Sequence, residues 1–164
     1  MEYILYKQQG TFSNEGQNNE LDIRVFRITP FHFFAEIEKF QMKTFILRLY
    51  FGIITAFNTK LFYVVDNNRL IHYSYLIPCC LKFKFLTKND YEIGPCFTLK
   101  DYRGKGIYPA VLNKIVTSIS TNPFFYMMVS PQNISSIKGI EKAQFVRCGI
   151  VKKTLAKNYK VISV

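Results

Sequence analysis

Residues 91–112, YEIGPCFTLKDYRGKGIYPAVL, run from a strand-like stretch through a basic glycine turn into a helix-like stretch. Arg103, Gly104, Lys105 and Gly106 fall where the helix begins. Two glycines let the backbone turn there so that successive N–H groups point outward. Unpaired N–H groups at a helix start carry partial positive charge, and Arg103 and Lys105 add whole charges beside them; such a turn can hold a pyrophosphate. The stretch is not a dinucleotide fingerprint, because GKGIYPA lacks the third glycine at the required offset, and no GxxxxGK(S/T) phosphate loop is present. Without an anion to bind, the same residues would be a glycine-containing turn with solvated cations.

Two further groups have useful chemistry. His72 lies in residues 70–77 beside Tyr73 and Tyr75; its ordinary pKa suits a base near neutrality, and a half-buried strand histidine with one satisfied nitrogen is the other reading. Cys96 could act as a nucleophile, but no histidine neighbours it in sequence, and it is read as a small core-filling residue.

The elements that must position these groups can be read from periodicity. Residues 10–20, rich in Gly, Asn, Gln and Ser, read as a loop between a short N-terminal strand and residues 21–28. Phe33, Phe34, Ile37, Phe40, Phe45 and Leu49 recur near helical spacing and predict one or two helices over 31–51. That stripe reads as core-facing; a membrane-surface face or an oligomer contact, such as a homodimer, is the other use of such a pattern. Residues 61–65 and 70–77 flank Asp66, Asn67, Asn68 and Arg69, a hairpin turn whose Asx residues tolerate left-handed angles. Residues 81–86, LKFKFL, alternate as a strand, and 91–99 form another after a turn at 87–90. From there strand and helix alternate: helix 107–119, strand 124–129, helix 133–143, strand 145–154 and an edge strand over 159–164.

At this point the sequence resembles the GNAT acyltransferase superfamily, whose signature is a strand, then R-G-x-G-(I/L) opening a helix, then a strand and an Asn-initiated helix. The resemblance covers residues 91–154 and rests on YRGKGI together with Asn133 and Ser136, which match the family's N-x-x-(A/S). It implies an α+β fold, a GNAT-type twisted mixed sheet flanked by helices on both faces, with a gap between strands 91–99 and 124–129. Residues 1–164 would be one domain, with 1–90 on the acceptor side and 91–154 as the acyl-CoA-binding core. By position, Arg103, Gly104, Lys105, Gly106 and Ile107 would bind the pyrophosphate of acetyl-CoA, with Tyr108 next in the helix. Cys96, Phe97 and Thr98 would accompany the pantetheine arm. Ile140 stands where the family often has the Tyr that protonates the departing thiolate, and Gln144 replaces a Gly. Glu92 occupies the strand position of a catalytic Glu in some members. Strand alternation puts it on the face of Gly94, Cys96 and Thr98, where a carboxylate could deprotonate an attacking amine; a solvent-facing or salt-bridged Glu is the bland reading.

The implied reaction is transfer of acetyl from acetyl-CoA to a primary amine, with Glu92 first and His72 second as base. IGPCFT before the loop and GIYP after it resemble members from bacterial surface-polysaccharide synthesis, which points to an amino sugar as acceptor. A non-catalytic module that binds acyl-CoA or an anionic polymer is the competing class.

Composition narrows the field further. The 164 residues are 49% hydrophobic and 20% charged, which fits one globular domain and excludes wholesale disorder. Residues 1–100 carry 12 basic and 9 acidic groups and residues 101–164 carry 10 and 2, so the net +11 is concentrated in the segment that would meet an anion. That charge disfavours polyamine acceptors, and no nucleic-acid-binding signature accompanies it. Cys79, Cys80, Cys96 and Cys148 lack CxxC spacing and read as reduced thiols of a cytoplasmic protein, with no metal site. No signal peptide or transmembrane helix is expected, because the longest apolar run, 45–57, contains Arg48 and is short of the ~20 residues of a span.

Overall fold

Asn67 and Asn68 adopt φ of 48° and 57°, the left-handed region that Asx residues enter most readily, and so close a two-residue hairpin between β3 (Lys60–Asp66) and β4 (Arg69–Pro78). The computed structural model describes residues 2–11, 21–29, 42–78, 87, 89–153 and 159–163. In chain order the remaining elements are β1 (Glu2–Gln9), β2 (Ile23–Arg27), α1 (Met42–Ile54), β5 (Tyr91–Thr98), a 3₁₀ turn (Lys100–Tyr102), α2 (Ile107–Thr117), β6 (Phe124–Val129), α3 (Ile134–Lys142), β7 (Val146–Lys153) and β8 (Tyr159–Ser163).

The strands form one mixed sheet in the order β2-β3-β4-β5-β6-β1-β7-β8, parallel only between β5 and β6. This is the α+β architecture expected from the sequence. Alternating residues of the strands feed two cores. Phe62, Val64, Leu76, Phe125 and Met127 point to one face, where Val111, Leu112 and Ile115 of α2 and Ile140 of α3 close over them. Leu61, Tyr63, Tyr75 and Ile77 point to the other face, where Phe51 of α1 meets Tyr75 at a ring separation of 5.6 Å. Each fully buried Leu, Ile or Phe contributes roughly 1.5–3 kcal/mol to holding these layers together.

Several boundaries differ from the sequence reading. α1 runs on to Ile54, past the expected end at 51, because Phe51 anchors its last turn to the sheet. α2 ends at Thr117, two residues early, where the Ser118 N–H and hydroxyl both bond back to the Ile115 carbonyl. The expected strand 81–86, residues 31–41 of the expected helix and residues 12–20 of the expected loop lie outside the described residues. No described helix is long and apolar enough to cross a membrane.

β5 and β6 pair at only two positions, Tyr91 with Phe125 and Glu92 with Tyr126. Beyond Glu92 the two strands part, giving the expected gap between them. β5 also carries a bulge: Ser74 faces Cys96 and Leu76 faces Ile93, so two steps on β4 span three on β5, across the cis Gly94–Pro95 bond. This overturns one expectation. Partners in register share a face, so Cys96 and Thr98 lie with Ser74 and His72 on the α2 side, whereas Glu92 lies with Ile77 on the opposite face. The extra residue reverses the alternation that would have put Glu92 beside Cys96.

Candidate active site

The glycine turn opens α2 as the sequence predicts. Gly104 and Gly106 both take φ of 78°, and Gly106 is the helix N-cap with no side chain to close the first turn. A Cβ at either glycine would meet nothing within 4 Å, so the turn faces open space. The helix-start N–H groups of Ile107 and Tyr108 have no intrahelical acceptor, and Pro109 has no N–H to offer. The turn is fastened from below. Arg103 Nε donates to the Thr98 carbonyl at 3.1 Å, and Lys105 Nζ lies 4.8 Å from the Tyr102 ring centre. The Tyr102 hydroxyl donates to Asp66 Oδ2 at 2.6 Å, which ties the turn to the β3–β4 hairpin and raises the phenol pKa.

In front of the turn lies a cleft of about 440 Å³ between β5, α2 and α3. It brings together most residues singled out in the sequence: Cys96, Phe97, Thr98, Arg103, Gly104, Gly106, Ile107, Tyr108, Asn133 and Ser136 all line it. Lys105 is exposed beside it. Asn133 also caps α3, its Oδ1 accepting from the Ser136 N–H at 3.2 Å and from the Ser135 hydroxyl at 3.1 Å. Lys138, Gly139 and Lys142 of α3 form the far wall.

Glu92 and His72, the two candidate bases, are not in the cleft lining. Glu92 is buried at the point where β5 and β6 separate. His72 is fully buried behind Thr98, with Nδ1 2.7 Å from Thr98 Oγ1 and Nε2 2.9 Å from Ser74 Oγ. Burial lowers its pKa to about 4, so the imidazole is neutral at pH 7.

Beneath the cleft these groups join into a network that the sequence did not reveal. The Cys96 thiol is hydrogen-bonded to the hydroxyls of Ser74 and Tyr108. Neutral His72 donates through one ring nitrogen and accepts through the other, which links the Thr98 hydroxyl at Nδ1 to the Ser74 hydroxyl at Nε2. Burial pushes the Cys96 thiol up to about 11 and Tyr108 well above 10, so both stay protonated at neutral pH. Such a thiol is a poor nucleophile.

Tyr108 reaches Cys96 because α3 has no side chain in its way. A Cβ on Gly139 would lie 2.6 Å from Tyr108 Cδ1. Ile140, at the position where a tyrosine was considered, points into the core instead and is 1% exposed. Ser74 and Gly139 were missed in the sequence; the i, i+2 spacing of His72 and Ser74 on one strand was the available sign for the first. Two cysteines among the described residues, Cys96 and Cys148, are free thiols.

No family model and no curated protein sequence matches the chain significantly. Solved structures do resemble it. A GNAT-family acetyltransferase from Colwellia psychrerythraea aligns over 90% of this chain and 53% of its own, with a TM-score of 0.58 and 17% identity. A protein assigned to the GNAT family from Novosphingobium aromaticivorans aligns over 92% and 62%, with a TM-score of 0.55 and 14% identity. A protein of unknown function from Staphylococcus epidermidis aligns over 91% and 58%, with a TM-score of 0.55 and 11% identity. The chain thus spans less than two thirds of these proteins' length. At such identities the likeness concerns architecture, and the chain has the fold of the GNAT acetyltransferases.

Proposed function

We propose that the chain is an acyl-CoA-dependent N-acyltransferase that moves an acetyl group from acetyl-CoA to a primary amine, with an amino sugar of a polysaccharide precursor as acceptor. The observation that carries this reading is the double-glycine turn: two left-handed glycines, a helix start without a side-chain cap, and flanking cations, all opening on one cleft. Pyrophosphate fits there because its oxygens would take the N–H groups of Ile107 and Tyr108 in space that any Cβ at Gly104 or Gly106 would fill. Arg103 and Lys105 supply charge, and the cleft leads from the turn toward Cys96 and Thr98, where the pantetheine arm would run.

In this reading the amine lone pair attacks the thioester carbonyl carbon, the C–S bond breaks, and the proton lost by nitrogen balances the one gained by the CoA thiolate. Tyr108 is the group placed to assist the leaving sulfur. Its raised pKa keeps the hydroxyl protonated, so it stabilises the thiolate by donating a hydrogen bond, turning from one sulfur, Cys96, to another. Glu92 remains the first candidate to take the amine proton, from the opposite face and at the apex of the β5–β6 opening. His72, with both nitrogens engaged, orients Thr98 and Ser74 as a positioning residue, and Thr98 oxygen can accept an amide N–H of pantetheine.

Thermal denaturation with millimolar acetyl-CoA tests the donor: ligand at 100 Kd should stabilise the fold by about 2.7 kcal/mol, and no shift would refute the assignment. Gly104→Asp and Gly106→Asp, which add a Cβ and a negative charge at the cradle, should abolish that shift without unfolding the protein. Thiol release on adding amines then separates an enzyme from a binding module.

A further inference from the structure

The opening between β5 and β6 has a second side, facing away from α2 and α3. Because of the bulge, Phe97 and Glu92 both point there, with Tyr126 paired to Glu92 on β6 where the gap begins. Phe97 stacks on Tyr73 of β4, with ring centres 5.7 Å apart and planes at 28°. β5 lies between β4 and β6, so Tyr73 covers the ring from the β4 side and the uncovered face of Phe97 is turned toward the gap. Phe97 as a whole residue is 42% exposed although it sits on a central strand. The contrast is with Tyr91 and Phe125, a pair of similar geometry at 5.8 Å and 25° that bridges β5 and β6 on the other face, where Phe125 is fully buried. Core packing accounts for that second pair and not for Phe97.

An aromatic face kept open beside a gap offers a flat apolar surface to a ring. The acyl-donor cleft lies on the other face of the same strand, reached through the backbone of residues 96–98. One buried carboxylate, Glu92, stands at the apex of the gap, where it can face an amine. We propose that the Tyr73–Phe97 pair is the platform on which the pyranose ring of the acceptor lies, apolar C–H face on Phe97, with its amine directed into the gap. This rests on the acyltransferase reading above.

The test is saturation-transfer NMR on the CoA-loaded protein with glucosamine, tyramine and spermidine as separate probes, with acetyl-CoA thermal shifts measured on every variant. Glucosamine ring protons should receive saturation from the wild type and from Tyr73→Phe, and at least tenfold less from Tyr73→Ala; Tyr73 is not part of the donor-cleft lining, so the acetyl-CoA shift of that variant stays intact and reports a folded protein. A preference for tyramine or spermidine, binding of none of the three, or an unchanged glucosamine signal in Tyr73→Ala would overturn the platform while leaving the donor assignment standing. Loss of the acetyl-CoA shift in the wild type itself would overturn both.

Discussion

Gly139→Ala isolates the contact that brings Tyr108 to the cleft. The new Cβ would stand 2.6 Å from Tyr108 Cδ1, where ordinary contact is 3.4–4 Å, so the ring must retreat by about 1 Å. Overpacking of this kind costs about 1–3 kcal/mol. Against it, replacing a mid-helix Gly by Ala favours α3 by about 1 kcal/mol. The single variant should therefore be destabilised by about 0–2 kcal/mol, which alone proves little. The decisive comparison is a double-mutant cycle in urea: with Tyr108→Ala the clash is gone, and Gly139→Ala should then stabilise by about 1 kcal/mol, a coupling of about 1–3 kcal/mol. Because the retreating ring carries its hydroxyl off the sulfur site, kcat should also fall, by up to about 10²-fold. Additivity within about 0.5 kcal/mol would refute the reasoning, since it would mean that Tyr108 and Gly139 do not press on each other.

Glu92→Gln keeps the shape of the carboxylate and removes its basic lone pair; kcat should fall about 10²-fold in a thiol-release assay while the acetyl-CoA thermal shift holds, and an unchanged kcat would exclude Glu92 as base. His72 is neutral when folded and titrates near 6.5 when unfolded, so its contribution to stability is complete above about pH 6.5 and is lost as the pH falls toward 4, on the order of 3 kcal/mol in total. Urea midpoints measured across that window should drop in the wild type, and His72→Gln should flatten the slope. Gln144 follows the end of α3 at φ of 66°, a conformation that costs an L-residue about 1–2 kcal/mol. Gln144→Gly should raise stability by about 0.5–1 kcal/mol after allowing for glycine's freer unfolded chain, which calorimetry would read as an upward shift in Tm.

What could be read from the sequence was what is local. The β3–β4 hairpin follows from Asn67 and Asn68, the open turn from two glycines alternating with Arg103 and Lys105 at a helix start, and the start of α3 from Asn133 capping Ser136. The Tyr108–Gly139 contact and the network from Thr98 to Cys96 join elements far apart in sequence, and no periodicity within one element reports them. Glu92 shows the same limit more sharply. Alternation within β5 predicts its face correctly only if no residue is inserted, and the insertion at Gly94 and Pro95 is visible only against β4. That bulge has a chemical consequence as well as a geometric one. It turns Cys96 and Thr98 to the cleft and Glu92 and Phe97 to the far side, within eight residues of one strand that parts from β6 just beyond Glu92. A regular strand would crowd Glu92, Cys96 and Thr98 onto one face; the bulged strand keeps them apart. A donor entering from the α2 side and an acceptor entering from the other can then meet across a single backbone, each with its own set of side chains.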